Sequence, residues 1–185
     1  MALSQLLAPT VEPIDLDEAK RQLRIDGEHE DLFISGLIVT SRLQLEASLG
    51  LAMIDQIWRL RVPASCAQEI ELPLYPVREI VMATAVASDG SGEPINSSHL
   101  VLVADRRPQV VKLQSIPASA REVHLDLKAG YGADGSSVPG PLKQALGLLV
   151  AHWFENREPS LPGAALSPLP LALDTLLQPY RRVRL

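Results

Sequence analysis

The sequence predicts an α+β fold: a helical bundle of two N-terminal helices and one long C-terminal helix, a small inserted antiparallel β domain, and an extended C-terminal tail. Three observations lead there. Apolar residues recur at helical spacing before residue 50 and again after residue 138. Between them the apolar period falls to two, the signature of strands with one buried face. Fifteen prolines and eleven glycines in 185 residues then divide the chain into short elements. The boundaries that follow are 1–52 for the N-terminal helices, 53–133 for the β insert, 134–158 for the long helix, and 159–185 for a linker and docking segment.

After a proline-punctuated leader, Asp15 to Glu18 has the capping-box spacing, so a short helix is expected over Leu16–Arg24. A break at Asp26-Gly27 leads to a longer helix from about Glu28 to Leu49. Leu32, Phe33, Leu37, Ile38, Leu45 and Leu49 give it an apolar stripe, and Gly50 suits the left-handed position past its end. From Met53, residues Ile54, Gln56, Trp58, Leu60 and Val62 fall on one side of a strand, with Asp55, Arg59 and Arg61 on the other. Glu69–Leu72, Arg78–Ala87, Leu100–Val103 and Val110–Leu113 read as further strands, and Ser88 to Gly92 supplies turn chemistry. Val123, Leu125, Leu127 and Ala129 alternate with polar residues in the clearest period-two run of the chain.

Gly130 to Ser137 forms a joint into the stretch Val138–Glu158, where Pro139 and Pro141 suit a first helical turn and Pro159 stops the helix. Leu142, Ala145, Leu146, Leu149 and Trp153 make one apolar face. Leu148, Val150, Ala151 and Phe154 carry apolar surface well round the cylinder. Burial in its own domain and against a neighbouring copy would account for that, with Gly147 permitting close approach; an ordinary core helix is the alternative. Past a proline-rich connector, Leu171–Leu177 can form a short helix.

The formal net charge is −5, which argues against a protein that grips nucleic acid through its phosphates. No secretory signal is expected from the leader, no membrane span from the run Ala145–Phe154, and no disulfide or cysteine-rich zinc site from the single Cys66. His152 and Glu155 stand at i and i+3, the spacing used in carboxylate-bridged metal sites, but those sites need a second such pair. The glycine-rich joint lacks the lysine and hydroxyl of a phosphate loop. No catalytic residue, metal or cofactor is therefore expected. A metal-dependent enzyme using His152 and Glu155 and a ligand-binding β module over Met53–Ala129 remain as alternatives.

The C-terminal segment is basic in an acidic chain. Leu173, Leu176, Leu177 and Tyr180 offer an apolar anchor, and Arg181, Arg182 and Arg184 match an acidic groove on a partner. A solvated terminus would not need the leucines and the tyrosine.

In order along the chain, PIDLDEAKRQLRID, EDLFISGLIVTSRLQLEASLG, QIWRLRV, LKAGYG and PLKQALGLLVAHWFENRE resemble the phage head-tail connector family. These are adaptor or head-completion proteins of tailed phages and of phage-like gene transfer agents. The resemblance covers most of the chain and implies a non-catalytic structural protein made in the bacterial cytoplasm. It implies a ring of twelve copies below the portal protein of the capsid vertex, extending a channel through which DNA passes without specific binding. A stopper or other tail-side connector would meet its far side. On this reading Leu173, Leu176, Leu177, Tyr180, Arg181, Arg182 and Arg184 bind the portal, and Leu148, Ala151, His152, Phe154 and Glu155 line contacts between subunits.

Overall fold

A computed structural model describes residues 1–157 and 171–181. The chain divides into two compact units, Met1–Thr10 with Gly50–Ala133, and Val11–Leu49 with Asp134–Leu185. The first ten residues, expected with the helices, thus belong to the β unit, and residues 171–181 belong to the helical one.

In the β unit the strands are β1 (Ala2–Leu7), β2 (Gln56–Pro63), β3 (Glu69–Glu71), β4 (Val77–Ala87), β5 (Gly92–Pro94), β6 (Leu100–Val103), β7 (Val110–Leu113) and β8 (Ala120–Ala129). A five-stranded sheet runs β1-β2-β8-β4-β5 and a three-stranded one β3-β7-β6, with every pairing antiparallel. The strand with the clearest alternation, β8, lies at the centre of the larger sheet. Its Val123, Leu125, Leu127 and Ala129 are fully buried and share one core with Leu60 and Val62 of β2, Ile70 of β3, and Val111 and Leu113 of β7.

The outward side of β8 is held by charge. Arg59 donates Nε and Nη2 to the two oxygens of Asp126 at 2.7 and 2.8 Å, which is how a carboxylate is retained at 6% exposure. Nearby, Arg78 and Lys128 both reach Asp55 at 3.2 Å.

Two strands differ from expectation. Every residue of β1 is exposed, so it has no buried face to produce an alternating pattern, and only its pairing with β2 defines it. The other, β5, is three exposed residues completing a hairpin across the expected Ser88–Gly92 turn. The strand expected from Met53 begins at Gln56. Met53 and Ile54 are instead buried in the approach, where Gly130, at φ +144°, crosses close to Ile54 and Asp55.

The helical unit holds α1 (Leu16–Leu23), α2 (Asp31–Leu49), α3 (Gly140–Glu155) and α4 (Leu171–Leu177). Here the first three helices pack pairwise, and α4 packs on α3. Asp15 caps α1 by accepting from the amide of Glu18 at 2.6 Å, as its spacing requires. Residues 158–170, which include the expected end of the long helix and the proline-rich connector, lie outside the described residues, as do Arg182 and Arg184.

The stripe that α2 buries is Ile34, Ile38, Ser41, Arg42, Leu45, Glu46 and Leu49. Ile38, Leu45 and Leu49 were expected there, but Leu32 is 92% exposed and Phe33 is exposed as well. Arg42 lies on the buried side. Its Nε and Nη2 donate to Glu12 at 2.7 and 3.1 Å, and its Nη1 donates to Glu46 at 2.9 Å. Burial on its own would lower the pKa of this guanidinium, but the Glu12 hydrogen bond and the charges of Glu46 and Glu12 outweigh it and hold the pKa above its ordinary value.

Two stability predictions follow from these contacts. Gly130→Ala should cost about 2 kcal/mol or more in denaturant unfolding, because a Cβ there lies 2.5 Å from backbone atoms of Ile54 and Asp55 at a φ that favours glycine. Arg42→Met should cost about 3–5 kcal/mol by stranding the buried Glu46 carboxylate, and adding Glu46→Leu should recover much of the loss.

Candidate interaction surfaces

The residues expected to meet other copies lie on the second half of α3. Leu148, Ala151, His152 and Phe154 are half-buried and Glu155 is exposed. Val150, also expected toward the outside, is buried. Phe154 already has partners within the helical unit: its ring lies 6.1 Å from that of Phe33 on α2, and the Arg157 guanidinium caps both rings at 4.0 and 4.5 Å. Arg157 also donates to Glu30 at 2.9 Å. The result is a clasp of two rings and an ion pair joining the end of α3 to the start of α2.

Gly147 was expected at a contact between copies. It is buried instead against the side chain of Gln22 on α1, so the close approach it permits is to its own chain.

His152 stacks edge-on against Trp153, with centroids 5.4 Å apart. Among the described residues, no group of three or more His, Cys, Asp or Glu side chains is placed to hold a metal ion. The 590 Å³ hollow beside the end of α1, lined by Asp17, Lys20, Arg21, Arg24, Ile25, Asp26 and Gly27, is wide open to solvent. Cys66 is exposed and free.

The C-terminal segment is split by burial. Leu173 and Leu177 are buried, packed with α4 on α3, while Leu176 and Tyr180 are half-buried. Arg181 is exposed and donates to Asp174, seven residues back, at 2.6 Å. The leucines expected to anchor a partner are therefore engaged in part by the chain itself. What remains outward is the Tyr180–Arg181 end.

No protein-family model and no curated protein matches the sequence. Solved structures do match, over 100% of this chain and 97% of each of theirs. One is a chain in the neck of an empty gene transfer agent particle, computed with C6 symmetry, at TM-score 0.85 and 26% identity. A second, in the neck of the native particle computed with C12 symmetry, matches at TM-score 0.78 and 26% identity. The chain shares its fold with gene transfer agent neck components. A chain of the native gene transfer agent virion carries the same fold, at TM-score 0.84 and 24% identity.

On this neck-component fold, one surface was missed by the sequence reading. The outward residues of α2 are Leu32, Phe33, Gly36, Val39, Thr40, Leu43, Gln44, Ala47 and Ser48, none of them charged. Leu32, Phe33, Val39 and Leu43 are among the large hydrophobic side chains the chain leaves exposed. The 19-residue helix is apolar enough, at mean hydropathy 1.2 over an 18-residue window, to meet the length and composition of a membrane span, although 39% of that window is buried. The available signal was its weak amphipathicity: Val39 and Leu43 lie off the buried stripe.

A double substitution tests the assignment of Gly147. Alanine there gains helix propensity worth about 1 kcal/mol and meets only the flexible, exposed end of Gln22. Gly147→Ala should therefore displace Gln22 and leave the melting temperature near the parent's, with a larger gain from the same substitution in a Gln22→Ala background.

Proposed function

We propose that this protein is a structural adaptor of the neck of a phage-like particle, forming a ring below the portal and joining the capsid vertex to the tail. The observation that carries this reading is the full-length fold match, at 26% identity, to chains in gene transfer agent necks computed with six-fold and twelve-fold symmetry. A ring of twelve copies, a portal protein on one side and a stopper or tail-side connector on the other are its proposed partners. The particle is a phage or a gene transfer agent, and no catalysis is assigned.

Charge supports the same reading. A chain of net charge −5 suits a ring through which DNA slides without adhering. The C-terminal basic end is the proposed portal contact, with Tyr180, Arg181, Arg182 and Arg184 meeting acidic portal residues. Leu173 and Leu177 hold the base of this element on α3, and Leu176 completes its apolar side. Leu148, Ala151, His152 and Glu155 remain proposed contributors to subunit contacts, and Phe154 supports them through its clasp with Phe33.

Since α4 also covers α3, charge reversal tests the tail better than truncation does. The variant Arg181→Glu, Arg182→Glu, Arg184→Glu should melt near the parent temperature. It should lose at least ten-fold in affinity for purified portal, read by co-sedimentation and electron microscopy. Portal binding at the parent affinity would remove the tail from the contact.

A further inference from the structure

The charges of α2 are distributed the wrong way round for a helix on the surface of a solitary protein. Arg42 and Glu46 point inward and are 5% and 7% exposed, while Leu32, Val39 and Leu43 point outward at 92%, 38% and 49%. The outward face, from Leu32 to Ser48, spans about 25 Å at 1.5 Å per residue. Gly36 interrupts it with a step: a Cβ built there meets nothing within 4 Å, so a partner's side chain has room to seat against the backbone. Exposed apolar patches beyond a few hundred Å² are uncommon on monomers and mark interaction sites.

We infer that this face of α2 is where a second copy of the same chain docks. The inference rests on the ring reading given above and names the surface that builds the ring. Charge selects the occupant. Copies that each carry −5 repel one another, and contact through ionised surfaces of like sign adds to that cost. Identical subunits therefore associate most favourably through a surface without charge, and the outward face of α2 provides four helical turns of it.

Size bears on the same point. A stable interface takes about 800 Å² from each partner, with an apolar core and a polar rim. One helical face supplies such a core, with Thr40, Gln44 and Ser48 along its margin, and leaves the rim to neighbouring elements. A closed ring of more than two subunits uses heterologous contacts, so the α2 face of one copy meets a different face of the next.

The test places a photo-crosslinking phenylalanine analogue at Leu43, in the full chain expressed with its own particle genes. Ring formation by the unmodified chain is followed separately by electron microscopy. The inference expects a product at twice the chain mass of 20.1 kDa that contains only peptides of this protein. It also expects the pair Val39→Glu and Leu43→Glu, made without the analogue, to abolish the rings, with a melting temperature close to the parent's.

Products containing only another protein, products containing only lipid, or no product at all would each overturn it. Rings that persist in the double glutamate variant would do the same. If the unmodified chain forms rings while Leu43 links elsewhere, the surface is wrong and the neck reading stands. If no rings form and Leu43 links to nothing, both fall.

Discussion

The guanidinium of Arg42, held between Glu12 and Glu46, keeps a charge network on the buried side of α2. Burying a charge is costly unless every hydrogen-bonding group around it is satisfied, and here two carboxylates take three of the guanidinium's N–H groups. Glu12 lies thirty residues upstream, so the ion pair also ties the segment before α1 to the middle of α2. Ile34, Ile38 and Leu45 centre the buried stripe, with Arg42 and Glu46 on its margin, so turning α2 to hide Leu32, Val39 and Leu43 would expose those three aliphatic side chains. Helix α2 thus keeps Arg42 and Glu46 inside and presents an uncharged stripe to whatever meets it. In the ring proposed above, that polarity gives each subunit a surface for assembly.

The remaining architecture supplies rigid surroundings for that face. The start of α2 is fixed by the clasp of Phe33, Phe154 and Arg157, and by Lys20 donating to Asp31 at 2.6 Å. Lys143 reaches Glu18 at 3.3 Å between α3 and α1. In the β unit the core is apolar and the outer side of the large sheet carries ion pairs, so its charges are spent largely on one another. The uncovered edge of β1, ALSQLL, is likewise uncharged.

Much of this was legible in the sequence wherever the partner of a residue lies nearby or the pattern repeats. The Asp15 cap needs only an amide three residues away, and β8 announces itself because one face is fully buried along its length. What could not be read depends on distant partners. Arg42 and Glu46 look like solvent-facing charges until Glu12 is seen to close around Arg42. Leu32 was read as part of the apolar stripe, and its position is outward. Strand β1 carries no period because neither face is buried, and β5 is too short to carry one. The leucines of α4 were recognisable as an apolar anchor, but spacing does not state whether an anchor holds its own chain or another. Leu173 and Leu177 hold their own.

The central claim is that identical copies meet through the uncharged face of α2 to build a neck ring. Its most direct test is a cryo-electron microscopy map of the ring at side-chain resolution. The account predicts a closed ring in which Val39 and Leu43 of every copy are covered by the next subunit and Arg42 remains between its two glutamates. A ring in which those two side chains stand in solvent at every subunit boundary would contradict it.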